Sequence, residues 1–225
     1  MYKLFFIPFL VFITGYSAAS DEISVDLNNL SNVSRVGNEM LSIESEFNGF
    51  EINRPLGSVE LQGIDWVFYS KDSWESKVNT DAISPLQVIG KFNTENAKSV
   101  FSNNFNCSTG VSRNKLAFAG VLTAKGGFSF NVSMLPPGSY RLELYTHNWL
   151  SSSDVTACLN TPVGCVTIKN DITFEMTGIK NTIEFITQGL TEELTISYIA
   201  TPRQFDYQQA QGYHALEAIK ITEVK

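Results

Sequence analysis

The stretch Arg141 to Trp149, "RLELYTHNW", follows the turn sequence "LPPGSY" and alternates two kinds of side chain. In a strand, Leu142, Leu144 and Thr146 point to one face, and Arg141, Glu143, Tyr145, His147 and Trp149 to the other. The first row is a core face. The second is either a ligand platform or the ordinary polar side of a half-buried sheet, and the functional reading of the chain turns on which it is.

The same texture extends in both directions. From Gly57 onward the chain reads as short β runs separated by turn residues: "IDWVFY" (64–69), "LQVIGKF" (86–92), "KLAFAG" (115–120), "GFSFNVSM" (127–134), "DVTACL" (154–159), "DITFEM" (171–176), "NTIEFIT" (181–187), "ELTISYIA" (193–200) and "YHALEAIKITEV" (213–224). Phe128, Phe130 and Val132 alternate with Ser129, Asn131 and Ser133, and Leu194, Ile196 and Tyr198 with Thr195 and Ser197. No long helical pattern interrupts them. The fold class is therefore all-β, an antiparallel sandwich or barrel rather than a parallel α/β fold.

Upstream, "EISVDL" reads as a first strand. "NEMLSIESEF" is ambiguous, because Met40, Ile43 and Phe47 have helical spacing while Leu41, Ile43 and Phe47 have strand parity. Before that, Met1-Tyr2-Lys3, an apolar run from Leu4 to Ile13 and the small residues Ser17 and Ala19 form a secretory signal peptide. The run is shorter than the ~20 residues of a membrane span, and no later segment offers one. The expected organisation is a signal peptide over 1–19, a lead-in segment over 20–57 with room for a first strand, and one β domain over 58–225, with a secreted or periplasmic location.

Of the 225 residues, 23 are Asp or Glu and 16 Lys or Arg, a formal net charge of −7. With no local basic run, that balance disfavours nucleic acid and anionic membrane surfaces as partners. Three cysteines, Cys107, Cys158 and Cys165, suit an oxidising compartment. Cys158 and Cys165 flank the turn-rich "LNTPVG", so a bridge between them is the cheapest closure; the alternative pairs Cys107 with one of the two.

Signatures of catalysis are sparse. Two histidines, His147 and His214, lie inside expected strands, and there is no metal-binding His or Cys spacing, nucleophile elbow or phosphate loop. Asp65, Asp72, Glu75, Glu143, Asp154 and Asp206 could supply the paired carboxylates of glycoside hydrolysis, but a chain with 23 acids always offers such pairs. Three Asn-x-Ser sequons, at Asn32, Asn106 and Asn131, match what composition gives by chance. Aromatics carry more information, since sugar rings stack their C–H faces on them while polar side chains bond the hydroxyls. Trp66 alternates with core residues; Trp74 stands in the polar loop "KDSWES"; Trp149 ends its strand as an edge plug or a platform.

Taken in order, "IDWVFYS", "VFSNNFN", "LAFAGVLTAKGGFSFNV", "YRLELYTHNW", "DVTACL", "NTIEFIT", "ELTISYIA" and "ALEAIKI" resemble the galactose-binding-like jelly rolls attached to secreted bacterial proteins and carbohydrate-active enzymes, over about residues 58–225. The resemblance implies a noncatalytic antiparallel β-sandwich of jelly-roll topology that binds glycan through its end loops, needs no cofactor and sometimes carries structural calcium. Where that family has a Trp and an Asp-Gly, this chain has "FSNNFNCSTG", with Phe105 and Asn106 as nearest equivalents. Tyr145 and Trp149 fall where the family pattern has aromatic residues. The resemblance therefore implies that they serve the scaffold, that the second row of "RLELYTHNW" is covered or solvated, and that function lies in the loops.

The loops 70–85, 102–114 and 201–212 are then the expected rim, with Trp74, Phe105 and Tyr207 as stacking groups and Asp72, Asn104, Asn106 and Arg203 as hydrogen-bonding partners. A structural or adhesive envelope protein that contacts another surface protein is the alternative reading, and a glycan hydrolase the third.

Overall fold

A computed structural model describes residues 33–51, 54–69, 74–77, 80–93, 101–107, 117–204 and 210–225; the signal-peptide segment, Asp72 and Tyr207 lie outside them. Among the described residues the regular elements are strands. They are β1 (Val33–Gly37), β2 (Leu41–Gly49), β3 (Ser58–Leu61), β4 (Asp65–Tyr69), β5 (Trp74–Ser76), β6 (Gln87–Asn93) and β7 (Asn104–Cys107). The second half adds β8 (Phe118–Val132), β9 (Gly138–Trp149), β10 (Ser151–Leu159), β11 (Cys165–Thr173), β12 (Thr177–Thr187), β13 (Leu194–Pro202) and β14 (Gly212–Glu223).

The strands make an antiparallel sandwich from one nearly closed sheet. One layer runs β1-β2-β12-β9-β14 with β4 and β5 beyond, and the other runs β8-β13-β10-β11 with β6 beside β8. From β8 onward the chain crosses between layers at each connection except the β10–β11 hairpin, the winding of a jelly roll. That hairpin holds Cys158 opposite Cys165 in direct register, and the two are disulfide-bonded. Cys107 is buried elsewhere.

The alternation that selects strands also fills the core. In β13, Leu194, Ile196, Tyr198 and Ala200 are buried while their neighbours are half-exposed, and in β9 the row Leu142, Leu144 and Thr146 faces the other layer. Leu41 and Ile43 do the same, so "NEMLSIESEF" follows strand parity from Leu41 onward, and β1 and β2 pair with the sandwich through β12.

Two expected strands, 115–120 and 127–134, are a single 15-residue strand, β8. Its first part pairs with β14 (Phe118 opposite Leu216) and its second with β13 (Phe130 opposite Ile196), so it turns the corner between layers. The turn falls at "KGGF", where glycine is required by proximity: a Cβ on Gly127 would lie 1.8 Å from the Tyr198 carbonyl oxygen. "DITFEM" is displaced too, since β11 starts at Cys165 and stops at Thr173.

A second apolar cluster lies outside the sandwich. The parallel pair β3–β7 covers one half of the outer face of β4, β14 and β9, packing Leu61, Phe101 and Phe105 onto Trp66, Phe68 and Tyr145. A bulge in β14 between Leu216 and Ala218 makes this possible. Tyr213 and Ala215 before it and Ala218 after it face the outer cluster, whereas Leu216, Ile219 and Ile221 face the inner core.

His214, fully buried, stacks on Tyr198 at 5.8 Å and Phe128 at 6.4 Å between ring centroids. Burial, followed by the charge on His147, pushes its pKa from 6.5 down to about 3. The unfolded imidazole takes up a proton as the pH falls through 6.5 and the folded one does not until about 3, so His214 makes the fold less stable as the pH drops across that window, by up to ~1.4 kcal/mol per pH unit. Urea midpoints measured against pH should show a shallower decline for His214→Gln than for the wild type. At the corner, Gly127→Ala should cost about 2 kcal/mol, because the atoms its Cβ would meet are backbone; an unchanged urea midpoint would show that the Tyr198 carbonyl does not pass that closely.

Candidate functional site

The outward row of β9 divides into three. Arg141 and Glu143 belong to a polar basin, Tyr145 and His147 are buried beneath β3–β7, and Trp149 is exposed again at the end of the sandwich.

The basin is a concavity of about 250 Å³ on β1, β2, β12 and β9. Register builds it as cross-strand rows, with Arg35 opposite Glu44, Glu44 opposite Thr182 and Thr182 opposite Glu143. Arg141 donates twice to one Glu184 oxygen, at 2.7 and 3.2 Å, and Arg35 donates to the other at 3.3 Å. Lys180 pairs with Glu46 at 2.9 Å, and Lys220 with Glu143 at 2.5 Å. Burial, then the neighbouring Glu143, pushes the Tyr145 phenol well above its usual value, so it stays protonated and donates to Glu143 at 3.1 Å. Opposite charges held on rigid strands make this face preorganised, and its charge is largely neutralised by internal pairing.

Beneath the cover, the bulged Glu217 is fully buried. Its carboxylate accepts Ser102 N–H and Ser102 O–H, both at 2.8 Å, and lies 2.6 Å from His147 Nδ1. Serine, histidine and acid are therefore together, but the serine donates to the acid rather than to the imidazole, which is the wrong order for a serine nucleophile. The group fastens segment 101–107 to the sheet.

The Trp149 end is built by chain crossings. Leu150 adopts φ of 51° as the chain leaves one layer for the other; its N–H donates to Thr173 O at 2.6 Å, and its carbonyl accepts Arg203 N–H at 2.9 Å. These bonds gather β9–β10, β11–β12 and β13–β14 at one corner. There Trp149 is 44% exposed and Phe174 58%, and the Arg203 guanidinium lies 4.3 Å from the Phe174 ring centroid. Two exposed aromatics with a half-exposed guanidinium suit a ligand that has both apolar faces and hydroxyls.

The expected site residues scatter. Arg203 reaches the corner. Phe105 does not offer its ring: it is 1% exposed, in edge contact with Phe68, Phe101 and Tyr145, because the alternation "NFNC" turns Phe105 and Cys107 to the sheet and Asn104 and Asn106 away from it. Asn104 pairs with Ser58 in the cover, and Asn106 Nδ2 donates to Glu60 at 2.8 Å. Segment 101–107 is thus a cover on a sheet face and not an end rim. Trp74 lies opposite Tyr69 on β5, at the edge beyond β4. Phe174, which sequence reasoning placed inside a strand, stands just after one.

Among the carboxylates considered for hydrolysis, Asp65 accepts Trp66 N–H, Thr80 O–H and Ile83 N–H, a structural arrangement. The Gly63 and Ile64 carbonyls beside it accept from the Lys77 ammonium at 2.6 and 3.0 Å. Among the described residues no three His, Cys, Asp or Glu side chains converge as metal ligands, and no helix is long and apolar enough to cross a membrane.

No family model matches the chain, and no curated protein matches it. Among solved structures it is similar to TmCBM61 in complex with beta-1,4-galactotriose, at 17% identity and a TM-score of 0.38, over 63% of this chain and 90% of that one. A likeness of that size carries no argument about a ligand.

Glu217→Gln should lower the unfolding free energy by about 2 kcal/mol and Ser102→Ala by about 1, read from urea midpoints. Two silent substitutions would show that this carboxylate does not hold the cover.

Proposed function

We propose that this chain is an exported, noncatalytic glycan-binding module, and that the Trp149, Phe174 and Arg203 corner is its binding surface. The observation that carries the reading is the exposure of two large aromatic rings, with a guanidinium over one of them, at the end where three interlayer connections meet. A sugar would lay a C–H face on an aromatic ring and give its hydroxyls to Arg203 and the surrounding backbone. The disulfide and the apolar leader support export. The engagement of Ser102 by Glu217 supports binding over acyl-transfer chemistry. No cofactor is part of the reading. Asp72, Trp74 and Tyr207 are assigned to the contact rim.

Glycan-array screening of the secreted chain should identify a ligand. Titration calorimetry should then show Trp149→Ala and Phe174→Ala each weakening it about tenfold, with melting temperature unchanged, as expected for the loss of roughly 1.4 kcal/mol of stacking. Trp74→Ala measures the rim, and Arg141→Ala serves as the basin control. Absence of glycan binding, or binding that both corner variants retain, would overturn the reading; loss only in Arg141→Ala would move the site to the basin.

A further inference from the structure

The core between the layers contains a cluster of polar side chains. Ser45, Asn148, Ser153, Asn170, Asn181 and Tyr198 are buried between the layers at 0 or 1% exposure. Ser45, Asn148 and Asn181 come from β2, β9 and β12 of one layer, and Ser153, Asn170 and Tyr198 from β10, β11 and β13 of the other. Ser45 O–H donates to Asn181 Oδ1 at 2.6 Å, and Asn148 Nδ2 and Asn170 Nδ2 donate to Ser153 Oγ at 3.1 and 3.2 Å. Tyr198 O–H donates to Asn148 Oδ1. Across the layers, Asn170 Nδ2 reaches Asn181 Oδ1 at 3.5 Å, the limit of a hydrogen bond.

That contact closes only one side of the amide pair. On the other side Asn170 Oδ1 and Asn181 Nδ2, both fully buried, meet no partner. Rotating both amides by half a turn exchanges the atoms and leaves one orphan donor and one orphan acceptor again, so the imbalance does not depend on which amide atom is oxygen. Buried amide groups without partners are costly, and a polar site between two of them is where proteins hold internal solvent.

We propose that this layer is a binding site for one structural water, which accepts from one Asn side-chain amide and donates to the other, bridging the two layers. The chemistry selects water over an ion. A cation would face the amide donor and an anion the amide oxygen, whereas water offers both functions at once. The bridge joins β11 of one layer to β12 of the other. It is independent of what the corner binds.

A high-resolution crystal structure of the intact chain tests this directly. The expected result is a single peak about 2.7–3.2 Å from both Asn170 and Asn181, with the amide pair still open. Water oxygen-17 relaxation dispersion should find one fewer long-lived internal water in Asn170→Leu than in the wild type. Two amides closed on each other in both directions with no peak between them would overturn the proposal, as would a peak with the scattering and contacts of an ion. An Asn170→Leu variant that folds with an unchanged count of internal waters would also overturn it; if that variant does not fold, the wild-type density decides.

Discussion

The buried carboxylate of Glu217 organises the outer surface of this molecule. A charge with no exposure to solvent persists only where hydrogen bonds surround it. Here they come from His147 on the adjacent strand and from Ser102, more than a hundred residues earlier in the chain. The bulge supplies the extra residue that directs this carboxylate outward without disturbing the inward row of β14. Once Ser102 is fastened, Phe101 and Phe105 settle on Phe68 and Tyr145, and half of the sheet is closed to ligands. The basin and the exposed corner are the parts of that surface left open on either side.

This dependence explains which parts of the structure were legible in the sequence. Inward rows were, because burial between layers imposes period-two alternation on each strand separately, and Leu142, Leu144 and Thr146 declare it locally. The outer row of β9 was legible only as a face either covered or solvated, not in which of its residues are covered. Whether Tyr145 or His147 is exposed depends on a segment some forty residues earlier in the chain that packs across it, and no periodicity within "RLELYTHNW" encodes that arrival. Phe105 shows the same limit from the other side: polar neighbours suggested an exposed loop, yet those neighbours are the outward half of an alternating strand.

The break expected between 120 and 127 misled in a similar way. Gly126-Gly127 lies at its end, and such a pair usually interrupts a strand. In β8 it does the opposite work, letting one strand bend from one layer to the other while the Tyr198 carbonyl passes too close for any side chain. Continuity there joins the two layers into one sheet, which local sequence cannot distinguish from two strands with a turn between them. Sequence reasoning was right about the disulfide because its two cysteines are neighbours across a short hairpin, where local chain geometry settles the pairing.

The corner inherits its geometry from this architecture. Strands that alternate between layers must cross at their ends, and each crossing leaves peptide groups outside the ladder. At Leu150 those groups are bonded to Thr173 and Arg203, so three connections share one set of hydrogen bonds. Side chains carried by such crossings can be exposed and still be held in place, because the backbone beneath them is fixed by two layers at once. Trp149 and Phe174 meet both conditions, whereas the rings that pack more tightly, Phe101 and Phe105, are fixed but inaccessible. A shallow ligand surface needs rings that are both ordered and open, and of the expected rim residues that the structure describes, Arg203 stands beside such rings.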